Sequence, residues 1–92
     1  MVSQDILIIN RLGLHARAAA QLVRLANEYP CDIRLAKDWQ VKNAKSVMDV
    51  LMLGATKDTT LKVSADGEKE EEALVAIAAL FGAYFNELEW RK

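Results

Sequence analysis

The chain has 92 residues, 52% of them hydrophobic and 27% charged, with 12 basic against 13 acidic side chains and a formal net charge of −1. That balance suits one small domain spanning 1–92 and excludes the strongly basic footprint of a nucleic-acid binder or of a surface drawn to anionic lipid. A single cysteine, Cys31, excludes an intrachain disulfide framework and a multi-cysteine metal centre; no metal and no cofactor are expected.

The longest apolar runs, such as Ala73 to Ala79, are too short for membrane insertion. Near the N-terminus the chain carries Asp5 and no basic segment ahead of an apolar signal core. A cytoplasmic, reducing setting is the expectation, and nothing in the pattern argues against a monomer.

Taken in order, residues Val2 to Ile9 hold the β-branched run Ile6-Leu7-Ile8-Ile9 and read as a first strand. Asn10-Arg11-Leu12-Gly13 closes it. A helix is predicted from Ala16 to about Asn27: Ala19, Leu22, Val23 and Ala26 recur at helical spacing, Arg17, Gln21 and Arg24 take the other side, and Pro30 stops it.

Cys31, Ile33 and Leu35, then Trp39, Val41 and Asn43, alternate with polar neighbours and predict a hairpin, with Trp39 packing in it and Cys31 buried. Ser46 opens a short helix through Leu53, since Ser46-Val47-Met48-Asp49 has capping-box spacing and Gly54 is placed to end it. In that helix, if Val47, Val50 and Leu51 point inward, Met48 and Met52 turn outward.

Leu61, Val63 and Ala65 alternate with Thr60, Lys62 and Ser64 to give a half-buried strand, which Asp66-Gly67 turns. A long last helix follows. Glu68, Glu70, Glu71 and Glu72 suit its first turn, and Leu74, Ile77, Ala78, Phe81, Phe85 and Leu88 line its apolar stripe.

The order βαββαβα implies an α+β fold with helices segregated on one face of a mainly antiparallel four-stranded sheet. Ferredoxin-like domains share most of that order, so spacing leaves the order of strands in the sheet open.

The chemistry concentrates at His15, the only histidine, which stands where the first loop meets the first helix. Backbone N–H groups at a helix start have no intrahelical partner and lie at the positive end of the macrodipole, so an anion is favoured there. His15 has to be neutral to attack phosphorus, a state that the helix start and Arg17 favour. A phosphoryl group on its ring would then be held by the N–H groups of Ala16 and Arg17 and by the Arg17 guanidinium. Gly13 permits close backbone approach beside it. The competing reading of a lone histidine is a surface or capping role without chemistry.

These residues carry a resemblance. Gly13-Leu14-His15-Ala16-Arg17 is similar to the active-site motif of the histidine-containing phosphocarrier HPr family of the bacterial phosphotransferase system. Asn43-Ala44-Lys45-Ser46-Val47-Met48 resembles its regulatory-serine segment, and Leu51-Met52-Leu53-Gly54 continues in step.

The resemblance spans nearly the whole chain. It implies an open-faced β-sandwich with strand order 1-4-2-3, phosphorylation of His15 on Nδ1 by Enzyme I, and transfer to an Enzyme IIA-type acceptor. By this reading the chain is a transfer intermediate and not an enzyme. Phosphorylation of Ser46 by an HPr kinase is a further implication. The family usually has proline where this chain has Ala18, and Asp49 stands where serine-regulated members commonly have glycine. The segments Ser46 to Asp58 and Glu70 to Phe81 look more like the nitrogen-related NPr branch than the sugar branch.

Gln21, Arg24, Val47, Met48, Leu51 and Met52 are the candidate docking residues, an apolar patch with a basic rim suited to acidic partners. Two rival functions predict different behaviour. A regulatory interaction domain would make His15 incidental, and a small acyl-phosphate hydrolase would turn over, although its glycine-rich phosphate loop is reduced here to Gly13.

Overall fold

The computed structural model describes residues 1–86. Strand β1 (Val2–Leu7) leads through the His15 loop into helix α1 (Ala16–Ala26). The hairpin β2 (Asp32–Lys37) and β3 (Gln40–Asn43) follows, then helix α2 (Val47–Met52), strand β4 (Thr60–Asp66) and helix α3 (Glu70–Gly82), with a 3-10 turn at Tyr84–Asn86.

The four strands form one antiparallel sheet in the order β1-β4-β2-β3. Register follows from which side chains can be buried together. Ile6 stands opposite Leu61, Leu35 opposite Val63 and Ile33 opposite Ala65, all six buried on one face; a slip of one residue would turn that set to water. The helices cover this face, contributing Ala18, Ala19, Leu22 and Ala26 from α1, Val50 from α2, and Ala73, Leu74, Ile77 and Phe81 from α3. The opposite face carries Asp5, Lys62 and Arg34 into solvent.

Strand β1 stops at Leu7, two residues earlier than its apolar run. Ile8 still bonds across the gap, its N–H donating to Thr59 O at 2.9 Å and its carbonyl accepting from Asp58 N at 2.8 Å, and it is fully buried.

In helix α2 the inward condition holds for Val50 alone. Val50 is fully buried, but Val47 and Leu51 are each 38% exposed, alongside Met48 and Met52. A helix of six residues has room to bury one narrow side, and Val50 with the following Leu53 fills it. Trp39 is 85% exposed at the hairpin tip, where packing was expected. The tip is a two-residue turn with Asp38 at φ 54°, which carries the chain past the sheet edge before it can fold onto the core.

The last helix ends earlier than its stripe. Ala83 caps it, and Tyr84 and Phe85 take left-handed backbone at φ 58° and 52°. Two consecutive non-glycine residues in that region cost about 1–2 kcal/mol each. Burial of Phe85 offsets this: its ring meets Phe81 edge-to-face at 4.8 Å and 69°, and Gln21 Nε2 donates to its carbonyl at 3.0 Å. Leu88 and Trp90 lie outside the described residues. No helix among the described residues is long and apolar enough to cross a membrane.

Candidate functional site

The loop before α1 is folded by its own first residue. Asn10 is fully buried, and its Nδ2 donates to Gly13 O at 2.9 Å while Gly13 N donates to Asn10 O at 3.2 Å, closing a tight turn over Arg11 and Leu12. Through Nδ2 the short polar side chain satisfies the carbonyl of buried Gly13 and so holds the turn, while its Oδ1 has no hydrogen-bond partner among the described residues.

Gly13 then brings the backbone against a second loop. At φ +66° a Cβ on Gly13 would stand 2.6 Å from Ala55 O and 2.8 Å from Thr56 Cα, distances that real Cβ atoms do not show. Leu14 N donates to Ala55 O at 3.0 Å, and the Leu14 side chain is buried. The residue before His15 is therefore anchored on both backbone and side chain.

His15 is the N-cap of α1, extended at φ −81° and ψ 179°, and its carbonyl accepts from Ala19 N at 2.8 Å to close the first turn. Its ring takes the part that Ser, Thr, Asp or Asn usually plays: Nδ1 accepts from the Arg17 N–H at 3.3 Å. An accepting nitrogen carries no proton, so in this arrangement the ring proton sits on Nε2. The residue is half-buried, with Nε2 on the shielded side.

The ring is thus neither sealed in the core nor turned from the helix. Its Nδ1 lone pair points at the Arg17 amide, in a first turn without acidic side chains to neutralise the dipole. At 3.3 Å the Nδ1 contact lies beyond the usual N–H···O or N–H···N optimum, a bond readily exchanged for a stronger acceptor.

Ala16 and Arg17 are exposed in that same turn, so the structure brings together His15, Ala16 and Arg17. Ala18, where a proline would stiffen the entry, is fully buried; the Asn10–Gly13 turn and the His15 cap hold the entry instead. Asn10 has no role in the sequence reading beyond closing the first strand. The available signal was a polar residue directly after an apolar run and three before a glycine.

The other named residues form two neighbouring groups. Arg24 is exposed in the last turn of α1, whereas Gln21 is half-buried and spends its amide on Phe85 O. Val47, Met48, Leu51 and Met52 are all exposed on α2, which packs beside α1.

Ser46 caps α2: its Oγ accepts from Asp49 N at 3.2 Å. Asp49 completes the cap differently from a reciprocal box, since its Oδ2 accepts from Asn43 N at 3.2 Å. Lys45, next to Ser46, donates from Nζ to Tyr29 O at 2.6 Å and ties this loop to the turn that follows α1.

Residues 2–83 match the profile of the PTS-HPr family, described as the PTS HPr component phosphorylation site. The chain is 46% identical over 90 residues to phosphocarrier protein HPr of Pseudomonas aeruginosa, covering 97% of this chain and all of that one. It is 41% identical over 87 residues to phosphocarrier protein NPr of Klebsiella oxytoca, covering 94% and 97% of the two chains. The crystal structure of HPr from Thermoanaerobacter tengcongensis superposes with a TM-score of 0.91 at 40% identity, covering 94% of this chain and 97% of that one. The helix-capping histidine, the 1-4-2-3 sheet and these likenesses agree, and the chain belongs to the HPr family of phosphotransferase-system phosphocarrier proteins.

Proposed function

We propose that this chain accepts a phosphoryl group from Enzyme I on Nδ1 of His15 and passes it to an Enzyme IIA-type acceptor. The observation that carries this reading is the Nδ1 lone pair directed at the Arg17 amide at the start of α1. In the transfer Nδ1 bonds to phosphorus as the donor's bond to phosphorus breaks, while Nε2 keeps its proton. The phosphoryl oxygens replace Nδ1 as acceptors for the Arg17 amide and take the Ala16 amide as well, and the Arg17 guanidinium spreads their charge. The reverse exchange leads to the acceptor.

The chain is a carrier and not an enzyme, working as one domain over 1–92, as a monomer, in the cytoplasm, without metal or cofactor. Val47, Met48, Leu51 and Met52, with Arg17 and Arg24 at their edge, form the face that meets the donor and acceptor in turn; exposure of all four apolar side chains supports this. Gln21 contributes by holding the Phe85 turn behind the site.

Ser46 serves first as a cap. Phosphorylation there by an HPr kinase would gain the amides of a helix start and lose the bond from Asp49 N, with the Asp49 carboxylate opposing the new charge. Regulation at Ser46 therefore acts on docking and comes with a local cost.

The test mixes the protein with phosphoenolpyruvate, magnesium and Enzyme I. A gain of one acid-labile phosphoryl group that His15→Ala cannot accept supports the reading. Continuous phosphate release by the isolated protein points to a hydrolase, and partner signalling unchanged in His15→Ala points to a regulatory domain.

A further inference from the structure

Lys37 is the last residue of β2, held by its pairing with Gln40 in the hairpin, and its ammonium reaches another element. Nζ donates to Leu53 O at 3.2 Å and to Gly54 O at 3.4 Å, where α2 ends. Carbonyls at a helix C-terminus lack intrahelical partners and lie at the negative end of the macrodipole. Helix α2 has no basic side chain in its own last turn, so the cation facing this end is supplied from β2.

The next carbonyl along the chain has a different partner. Ala55 O accepts the N–H of Leu14 at 3.0 Å, and it is the atom that bare Gly13 allows the His15 loop to approach. Three successive carbonyls therefore divide between two tasks: those of Leu53 and Gly54 are held by Lys37, and that of Ala55 carries the residue before His15. Leu53 and Ala55 are buried, but Gly54 between them is left-handed at φ +60° with nothing within 4 Å of a Cβ built there. The Lys37 ammonium braces the segment at this open residue.

We propose that Lys37 is a positioning residue for phosphoryl acceptance at His15. The inference rests on the carrier reading above and adds a residue that acts through residues 53–55. By fixing two carbonyls the ammonium fixes the third, and with it the place where Leu14 delivers His15 to the start of α1. The Nδ1 contact with the Arg17 N–H, at 3.3 Å, is long enough that a small displacement of Leu14 changes how Nδ1 meets an incoming phosphorus. Without the donor, the carbonyls of Leu53 and Gly54 turn to water and the segment under Leu14 loosens.

The test compares Lys37→Met, which keeps the aliphatic stem and drops the donor, with Lys37→Arg, which keeps charge and donors. Two phosphoryl donors are used: phosphoenolpyruvate-charged Enzyme I at varied carrier concentrations, and phosphoramidate, a small donor that needs no docking and from which ammonia leaves as Nδ1 bonds to phosphorus. Lys37→Met is expected to slow phosphorylation of His15 about three- to tenfold with both donors. With Enzyme I the loss falls on kcat and leaves KM unchanged, and it persists at high salt, where exposed charges are screened. Lys37→Arg is expected to recover most of the rate. Amide hydrogen exchange at Leu14 is expected to quicken in Lys37→Met while exchange at Leu22, in the middle of α1, does not. Rates are compared below the thermal transition of every variant.

A raised KM for Enzyme I with an unchanged phosphoramidate rate makes Lys37 a docking charge and overturns the proposal. So do rates unchanged with both donors, whatever the change in Tm, and a deficit that disappears at high salt. Each of these leaves the carrier reading intact, whereas failure of the wild-type protein to gain phosphoryl from Enzyme I overturns both.

Discussion

Replacing Gly13 by alanine separates two costs that usually arrive together. At Gly13 the backbone is left-handed at φ +66°, and the new Cβ would press on Ala55 O at 2.6 Å and Thr56 Cα at 2.8 Å; at Gly54 the backbone is equally left-handed at φ +60°, with nothing within 4 Å of a Cβ. Gly54→Ala therefore reports conformational strain alone, about 1 kcal/mol after the gain from a stiffer unfolded chain. Gly13→Ala adds overpacking against backbone that cannot swing aside, about 2 kcal/mol more, for a total of about 3 kcal/mol.

In a domain of this size those losses lower Tm by about 4–8 °C for Gly54→Ala and about 12–24 °C for Gly13→Ala. Urea unfolding followed by circular dichroism measures both, with unchanged m-values marking a loss of stability and not of compactness. Because Leu14 hangs on Ala55 O, Gly13→Ala should also slow phosphoryl acceptance at His15 at temperatures where the protein is still folded. Equal destabilisation of the two variants would refute the close approach of the His15 loop to Ala55.

Asn10→Ala removes the donor to Gly13 O from a fully buried position and should cost about 1–3 kcal/mol in the same urea titration, with slower phosphorylation of His15. Ser46→Ala deletes the N-cap of α2 and should cost about 1 kcal/mol by thermal unfolding, leaving acceptance of phosphoryl by His15 unchanged. The Glu70 carboxyl is held below its ordinary value of 4.5, first by the Gly67 N–H it accepts at 3.0 Å and then by the Met1 amine. Its contribution is present above pH 4.5 and lost as pH falls toward the lower folded value. Wild type should therefore exceed Glu70→Gln in Tm at neutral pH and converge with it in acid, as calorimetry over that range would register.

Local signals made much of the fold legible. Alternation in Leu61–Ala65 and Ile33–Leu35, the helical spacing of Ala19, Leu22 and Ala26, and Ser46 three residues before Asp49 each depend on neighbours in sequence, and each element stands where those signals put it. Strand order is not local. That β4 lies between β1 and β2 follows from pairings such as Ile6 with Leu61 and Leu35 with Val63, which spacing cannot express, and only the family resemblance supplied it.

The misread positions share one cause, a pattern overruled by geometry at the end of an element. Trp39 continues an alternation past the point where the sheet stops, and of the three apolar side chains that could turn inward on α2 the short helix buries Val50 alone. The last helix breaks at Tyr84 and Phe85 without glycine or proline, because a buried Phe85 and its bond from Gln21 favour the left-handed turn. At the site, His15, Ala16 and Arg17 were legible from the motif. The brace at Asn10 was not, since a buried asparagine and an exposed loop asparagine look alike in sequence.

The central claim concerns one nitrogen, and a long-range proton–nitrogen correlation spectrum of the phosphorylated protein, labelled with 15N and charged by phosphoenolpyruvate and Enzyme I, addresses it directly. The account predicts phosphorus on Nδ1 of His15 with the proton still on Nε2. Phosphorus on Nε2, or on any other residue, contradicts it.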